Sequence, residues 1–223
     1  LQEVIPYLKS RFNLTEVIQV RTLHVSGLGE GAIDELVGDF ESLSNPTVGL
    51  AAHSGIVSIR ITAKSHSAGD CVIMLDDIEM QLRQLLGVNI YGRDSDTLEG
   101  VVLKTADQKG VSIASMEFQT GNALSTRLAR TAESSYRGGA DLSHRSTTWM
   151  DSLENEMARR SANIGLGLGC ITNNDEHKAI ILLITPSVKD KVELNYGGHP
   201  DNFIRWAVNN TLNLLRRTIL DIK

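Results

Sequence analysis

Val57-Ser-Ile-Arg-Ile-Thr-Ala-Lys64 alternates without a break. Val57, Ile59, Ile61 and Ala63 fall on one side, and Ser58, Arg60, Thr62 and Lys64 on the other. This period of two marks a strand with one face in a core and one in water. Just upstream, His53-Ser-Gly55 is a tight turn, and Val48 to Ala52 reads as a second strand. Asn45-Pro46 stops a helix in which Ile33, Leu36, Val37, Phe40 and Leu43 recur at helical spacing. Gly27-Leu-Gly-Glu-Gly31 opens that helix and ends a strand running from Val17 to Val25. Downstream, a helix is predicted from Asp70 to Leu86, with Leu75, Ile78, Leu82 and Leu85 inward and Gly87 at its end. Ile90-Tyr91 adds a short last strand. The order is βαββαβ, a compact split α/β sandwich.

Gly92-Arg-Asp-Ser-Asp96 is a polar connector and the expected domain boundary. Beyond it the pattern predicts a helix over 97–109 with Gly110 as its C-cap, a buried strand from Val111 to Ser115, and a helix over 120–132. Residues 133–148 are rich in Ser and Gly and read as a loop with room for one short strand. Met150, Leu153 and Met157 mark another helix. Strands over Ile164–Cys170, Lys178–Thr185 and Lys191–Tyr196 follow. A final helix over 201–222 is expected to face inward with Ile204, Val208, Leu212, Leu215 and Ile219. Helices alternating with strands make this half a layered α/β domain. At the other end, residues 1–14 read as a helix with Ile5, Leu8 and Phe12 on one face and Pro6 in its first turn.

Composition narrows the function classes. The 223 residues carry 22 Lys and Arg against 27 Asp and Glu, a net charge of −5. A duplex-DNA binder shows a basic excess that displaces phosphate counterions, and none is present. With only 4 Phe, 4 Tyr and 2 Trp, a broad base-stacking platform is not expected either. The longest apolar run, Ala179-Ile-Ile-Leu-Leu-Ile184, is strand-sized, far short of the ~20 residues that span a bilayer. No signal peptide is visible, and Cys71 and Cys170 are expected to be buried reduced thiols, so a cytoplasmic protein without membrane partners is expected.

The candidate motifs are weak. Gly27-x-Gly-x-Gly31 opens a helix, but its spacing is neither GxGxxG nor a P-loop, and no two of its glycines stand three apart as a KH clamp requires. Gly165-x-Gly-x-Gly169 alternates with Ile164, Leu166 and Leu168, so it reads as a strand pressed closely against another backbone. Histidines 24, 53, 66, 144, 177 and 199 form no HxH or HExxH pair, and no CxxC exists, so no metal site is expected. No cofactor motif is present. Asp175-Glu-His177 reads as a solvated hairpin turn. No GxSxG elbow occurs, and Ser134-Ser135, Ser143-His144 and Arg145 fall in the Ser/Gly-rich loop.

The stretches Arg21-Thr-Leu-His-Val-Ser-Gly-Leu-Gly-Glu30, Asn45-Pro-Thr-Val-Gly-Leu-Ala-Ala-His53, Arg60-Ile-Thr-Ala63, Ile90-Tyr-Gly92 and Thr97-Leu-Glu99 resemble the KH-like middle domain and hinge of the competence/damage-inducible CinA family. Glu117-Phe-Gln-Thr-Gly-Asn122, Ser134-Ser135, Asn163 to Cys170 and Leu212-Asn-Leu-Leu-Arg-Arg217 resemble its nicotinamide mononucleotide deamidase domain. The resemblance covers essentially the whole chain. It implies a KH-like domain over 15–92 and a deamidase-like domain over 97–223. It also implies a missing N-terminal domain, similar to molybdopterin-binding proteins, of which residues 1–14 are the tail helix and which accounts for a start at Leu1. In some relatives that domain hydrolyses ADP-ribose-type pyrophosphates.

The site positions depart from the family pattern. Active members resemble one another in an ESCTGG-type segment that holds the nucleophilic serine, and here Phe118 stands in that place. The lysine base of the YSNxxK-type segment corresponds to Thr147, and its tyrosine to Leu142. In the TGIAGP-type loop, Gly169 replaces the hydroxyl. In the GDR-type turn, Pro200 replaces the arginine expected to meet the substrate phosphate. Amide hydrolysis by such a pair needs an oxygen nucleophile and a group to take its proton. The resemblance therefore implies a degenerate domain that acts in scaffolding or homo-oligomer assembly, with Glu117, Thr120, Gly121 and Ser135 as a residual pocket for a nucleotide ligand. The alternative is an active amidohydrolase using a relocated serine, Ser135 or Ser143. Nucleic-acid binding is not expected, since the KH-like clamp is absent.

Overall fold

The structure is a computed structural model that describes residues 4–12, 15–131, 133–142, 148–174 and 176–222. It is a mixed α/β chain of two compact units, the first running to Asp94 except for Ser54–Ile56, which group with the second unit from Ser95 onward.

The first unit contains α1 (Val4–Phe12), β1 (Val17–Ser26), α2 (Glu30–Glu41), β2 (Thr47–His53), β3 (Ile56–Ser65), α3 (Ala68–Leu86), a 3-10 turn at Gly87–Asn89, and β4 (Ile90–Arg93). Its sheet runs β2-β3-β1-β4. The alternating residues Val57, Ile59, Ile61 and Ala63 are all buried and meet Leu23 and Val25 of β1 under Ile33 and Val37 of α2 and Leu75, Ile78 and Leu82 of α3. Ser67 starts α3 by accepting a hydrogen bond from the Asp70 amide at 3.1 Å. The inward residue at the end of α3 is Leu86, 2 % exposed, whereas Leu85 is 43 % exposed. Leu86 follows Leu75 by three whole turns and so shares its face, while Leu85 is rotated off it. In α1, the side chains of Ile5 and Leu8 lie outside the described set, and Phe12 is exposed.

The second unit contains α4 (Leu98–Lys109), β5 (Ile113–Phe118), α5 (Ala123–Leu128), β6 (Tyr136–Asp141), α6 (Trp149–Arg160), β7 (Ile164–Asn173), β8 (Glu176–Ile184), β9 (Lys189–Tyr196), a 3-10 turn at Pro200–Asn202, and α7 (Phe203–Asp221). The sheet order is β6-β5-β7-β8-β9. β5 is parallel to both its neighbours, and β7, β8 and β9 are successively antiparallel. α6 covers one face, and α4, α5 and α7 pack together on the other.

Several elements differ from expectation. β5 runs on through Phe118 instead of stopping at Ser115. α5 is a six-residue helix, not a helix over 120–132, and Thr131 Oγ1 bonds the Leu128 carbonyl just past its end. The segment expected as loop with room for one short strand holds that strand as β6, at the edge of the sheet. It packs tightly because Gly138 and Gly139 have no Cβ: the Arg160 guanidinium fills that space at Gly138, and Ser115 Oγ fills it at Gly139. At the start of α7, Phe203 is buried and Ile204 is exposed, since only one of two adjacent helical positions can face the core.

Candidate functional site

The position where the nucleophile is expected closes β5. Phe118 is the strand's last residue, and its register neighbour on β7 is Gly169. From there the chain turns through Gln119, Gly121 and Asn122 with φ of 55°, 63° and 61°, all left-handed, into α5. Glycine adopts that conformation freely and Asn tolerates it, but Gln119 is held there at a cost of about 1 kcal/mol. This sharp strand-to-helix turn throws the side chains of 117 and 118 to opposite faces of the sheet.

Glu117 points to the α5 side and is buried. Its carboxylate accepts from Thr120 Oγ1 at 2.5 Å and from the amides of Leu124 at 2.9 Å and Ser125 at 2.7 Å. It satisfies helix N-terminal donors that otherwise lack partners, and its charge suits that end of the helix. Glu117, Thr120 and Gly121 thus lie together in one turn, with the first two engaged by each other.

Phe118 points to the α6 side and is 7 % exposed. Its ring centroid lies 5.2 Å from the Trp149 ring at an interplanar angle of 53°. Met116, Leu153, Ile171, Ile180, Leu182 and Ile184 complete the cluster, and Leu142 packs against it. Gly169 lies under the same indole: a Cβ added there would overlap the Trp149 ring. Gly165 likewise lies under Met157 and Leu153 of α6. Gly165 and Gly169 therefore admit side chains of α6, and Gly167 admits Leu182 of β8, so the neighbours are side chains and not a second backbone as the alternation suggested. Trp149 Nε1 has no hydrogen-bond partner among the described residues, so the indole is held by packing. Spacing gave no signal for Trp149, whose role exists only where β5, β7 and α6 meet.

Ser135 lies elsewhere. Its carbonyl accepts from the Ile113 amide, and its Oγ donates to the Leu103 carbonyl at 3.1 Å. Ile113 begins β5 and Phe118 ends it, so Ser135 stands five residues of strand away, about 16 Å at 3.3 Å per residue. The structure does not bring Ser135 to Phe118. Thr147 and residues 143–146, with Ser143, His144 and Arg145, lie outside the described residues, as does Asp175.

Other nucleophilic groups nearby are quiet. Ser115, on β5, shares a 2.7 Å hydrogen bond with the Tyr136 hydroxyl. Burial pushes that phenol up, so it stays neutral and is no base for Ser115. Burial, with the Glu117 charge added, pushes the Cys170 thiol up to about 12. Such a thiol is not a nucleophile near neutral pH. Cys71 and Cys170 are both free and buried. Among the described residues no group of His, Cys, Asp or Glu is arranged to hold a metal, and no helix is long and apolar enough to cross a membrane.

Pro200 opens the 3-10 turn before α7. The turn is tied by Tyr196 Oη donating to the His199 carbonyl at 3.1 Å. Tyr196 stacks on Phe203 at 5.6 Å and meets Trp206 at 5.0 Å. Behind the site, Arg127 of α5 bridges Glu99 of α4 at 2.5 Å and Asn209 of α7 at 2.6 Å.

The family described as "Damage-inducible protein CinA KH domain" matches residues 20–92. A competence-damage inducible protein of Alkaliphilus oremlandii is 30 % identical over 253 residues, covering 98 % of this chain and 60 % of the relative. One of Thermoanaerobacter pseudethanolicus is 36 % identical over 127 residues, covering 57 % and 30 %. A CinA-like protein of Rippkaea orientalis is 36 % identical over 140 residues, covering 62 % and 34 %. The chain thus spans about a third of two of these relatives and 60 % of the other. A crystal structure of a CinA superfamily protein from Klebsiella pneumoniae matches with a TM-score of 0.46 at 13 % identity, covering 55 % of this chain and 96 % of that one.

Proposed function

We propose that this chain, which belongs to the CinA family, keeps a deamidase-like domain over 97–223 that no longer hydrolyses amides. The observation that carries this reading is the Phe118–Trp149 contact. The residue at the nucleophile position has no oxygen or sulfur, and its ring is packed in the core at 5.2 Å from the indole. Nucleophilic catalysis needs an oxygen or thiolate with a base in hydrogen-bond reach. Ser135 stands at the far end of β5, and Cys170 is neutral, so neither supplies one.

In this reading the role of the chain is scaffolding or homo-oligomer assembly. Residues 15–92 act as a KH-like domain, and α1 (Val4–Phe12) acts as the tail helix of a preceding domain. Glu117, Thr120 and Gly121 are retained for the turn they build. The test is incubation of the protein with nicotinamide mononucleotide and measurement of released ammonia. No release above the protein-free background is expected. Turnover at the rate of active relatives overturns the reading and returns the relocated-serine alternative, for which Ser143→Ala is the next measurement.

A further inference from the structure

Helix α2 reads Glu-Gly-Ala-Ile-Asp-Glu-Leu-Val-Gly-Asp-Phe-Glu and carries Glu30, Asp34, Glu35, Asp39 and Glu41 with no basic residue. Among the described residues none of these five carboxylates makes an ion pair. The net charge of the whole chain is −5, so this one helix holds as much negative charge as the entire excess. Its apolar residues do not all turn inward. Ile33 and Val37 are buried on the sheet, but Leu36 is 43 % exposed and Leu43, just past the helix end, is 37 % exposed.

Between α2 and α3 lies a groove of about 490 Å³. Phe40, Leu43, Pro46 and Ile78 form its apolar floor, and Asp39 and Asp77 stand on opposite rims. Gln81 donates to Asp77 at 3.0 Å, and no Lys or Arg lines the groove. Ile73, one turn before Asp77 on α3, is largely exposed and extends the apolar surface.

We propose that this groove docks a basic amphipathic helix of a partner protein. The reasoning is charge complementarity over an apolar floor. An apolar stripe fills the groove between two helices in the way helices pack on one another. Lys or Arg beside that stripe meets Asp39 on one side and Asp77 on the other, and relieves the uncompensated charge of α2. Other occupants fit less well. A two-fold contact with a second copy sets α2's carboxylates against themselves. Phosphate backbones and anionic lipid surfaces are repelled by the same charge. The proposal is independent of whether the C-terminal unit hydrolyses amides.

The experiment is a fluorescence-anisotropy titration of the full chain with a labelled synthetic Leu/Lys amphipathic helix. The controls are a Leu/Glu helix of the same pattern and a Leu/Lys peptide of scrambled order. Saturable binding of the first is expected, at least about tenfold tighter than either control. Asp39→Lys with Asp77→Lys, and separately Leu36→Ser with Leu43→Ser, are each expected to weaken it about tenfold or more while circular dichroism stays unchanged. All four side chains are exposed, Leu43 included although it also lines the groove floor, so both variants are expected to fold. No binding, equal binding of the scrambled peptide, or unchanged affinity in both variants overturns the proposal. Self-association of the chain that Leu36→Ser with Leu43→Ser abolishes in sedimentation also overturns it, by assigning the face to a second copy.

Discussion

The Phe118 ring and the Trp149 indole meet at 5.2 Å over Gly169, whose missing side chain leaves the indole its place. Three positions, one each on β5, α6 and β7, therefore form one packing unit. An aromatic pair of this kind contributes about 0.5–1.5 kcal/mol beyond the area it buries. Phe118→Ser restores a hydroxyl at the nucleophile position but leaves the indole over Gly169 and supplies no base. Urea unfolding is expected to show a loss of about 3 kcal/mol, in the range of large core truncations. Ammonia release from nicotinamide mononucleotide is expected to stay at background. Activity in this single variant means that neither the indole over Gly169 nor the lack of a base prevents hydrolysis, and it overturns the proposed reading.

Gly169→Ala tests the same unit from the other side. The added methyl overlaps the Trp149 ring, and overpacking of this kind costs about 1–3 kcal/mol. Trp149→Ala is destabilising alone but removes that clash. The double variant is expected to be more stable than the sum of the two changes predicts, by about 1 kcal/mol or more. Strict additivity in the urea midpoints is incompatible with the contact between Gly169 and the indole.

Glu117 is engaged by Thr120 Oγ1 and two backbone amides at the start of α5. Glu117→Gln keeps the shape but puts a donor where acceptors are needed. An expected loss of about 1–3 kcal/mol follows from unpairing buried donors. The measurement is again chemical denaturation, with Thr120→Val as a milder second change. A neutral Glu117→Gln means that the carboxylate is not what holds the turn.

How much of this was legible in the sequence depends on the range of each interaction. β3 is written in its own alternation, and α4 in Thr97 at one end and Gly110 at the other. β6 was legible only as room for one short strand, not in its place, because Tyr-Arg-Gly-Gly-Ala-Asp neither alternates nor carries β-branched residues, and its two glycines answer to Arg160 and Ser115 far along the chain. Missing the start of β6 also hid the place of Ser135, which is set by pairing with Ile113. The glycines of β7 announced a close approach, but nothing local says that the neighbour is a tryptophan. Phe118 came from resemblance, anchored by Thr120 and Gly121, not from any local pattern.

Glu156 on α6 sits between Arg159 at 2.8 Å and Arg160. Burial pushes its carboxyl up, but the hydrogen bonds and charges of the two arginines outweigh this and leave it below its ordinary value of 4.5. The folded state therefore binds a proton here less readily than the unfolded chain does. The contribution to stability is fully present above pH 4.5 and is lost as the pH falls through the lower folded value. Urea midpoints between neutral pH and pH ~4 are expected to fall less in Glu156→Gln than in the parent. An identical acid slope in the two proteins excludes Glu156 as a source of the pH dependence.

Cys170 gives the opposite sign at the other end of the scale. Burial, with Glu117 adding to it, raises the thiol from 9.0 to about 12, so the folded chain keeps the proton that the unfolded chain releases. The linked stability is present below pH 9.0 and is lost as the pH rises toward 12. Cys170→Ala is expected to flatten the alkaline fall in stability relative to the parent. In the native parent at pH ~8, a thiol reagent is expected to leave Cys170 unmodified, with reaction appearing only in denaturant. Mass spectrometry of the digested protein locates the label. Rapid native modification at Cys170 means that the thiol is reached by solvent and is not held protonated by burial.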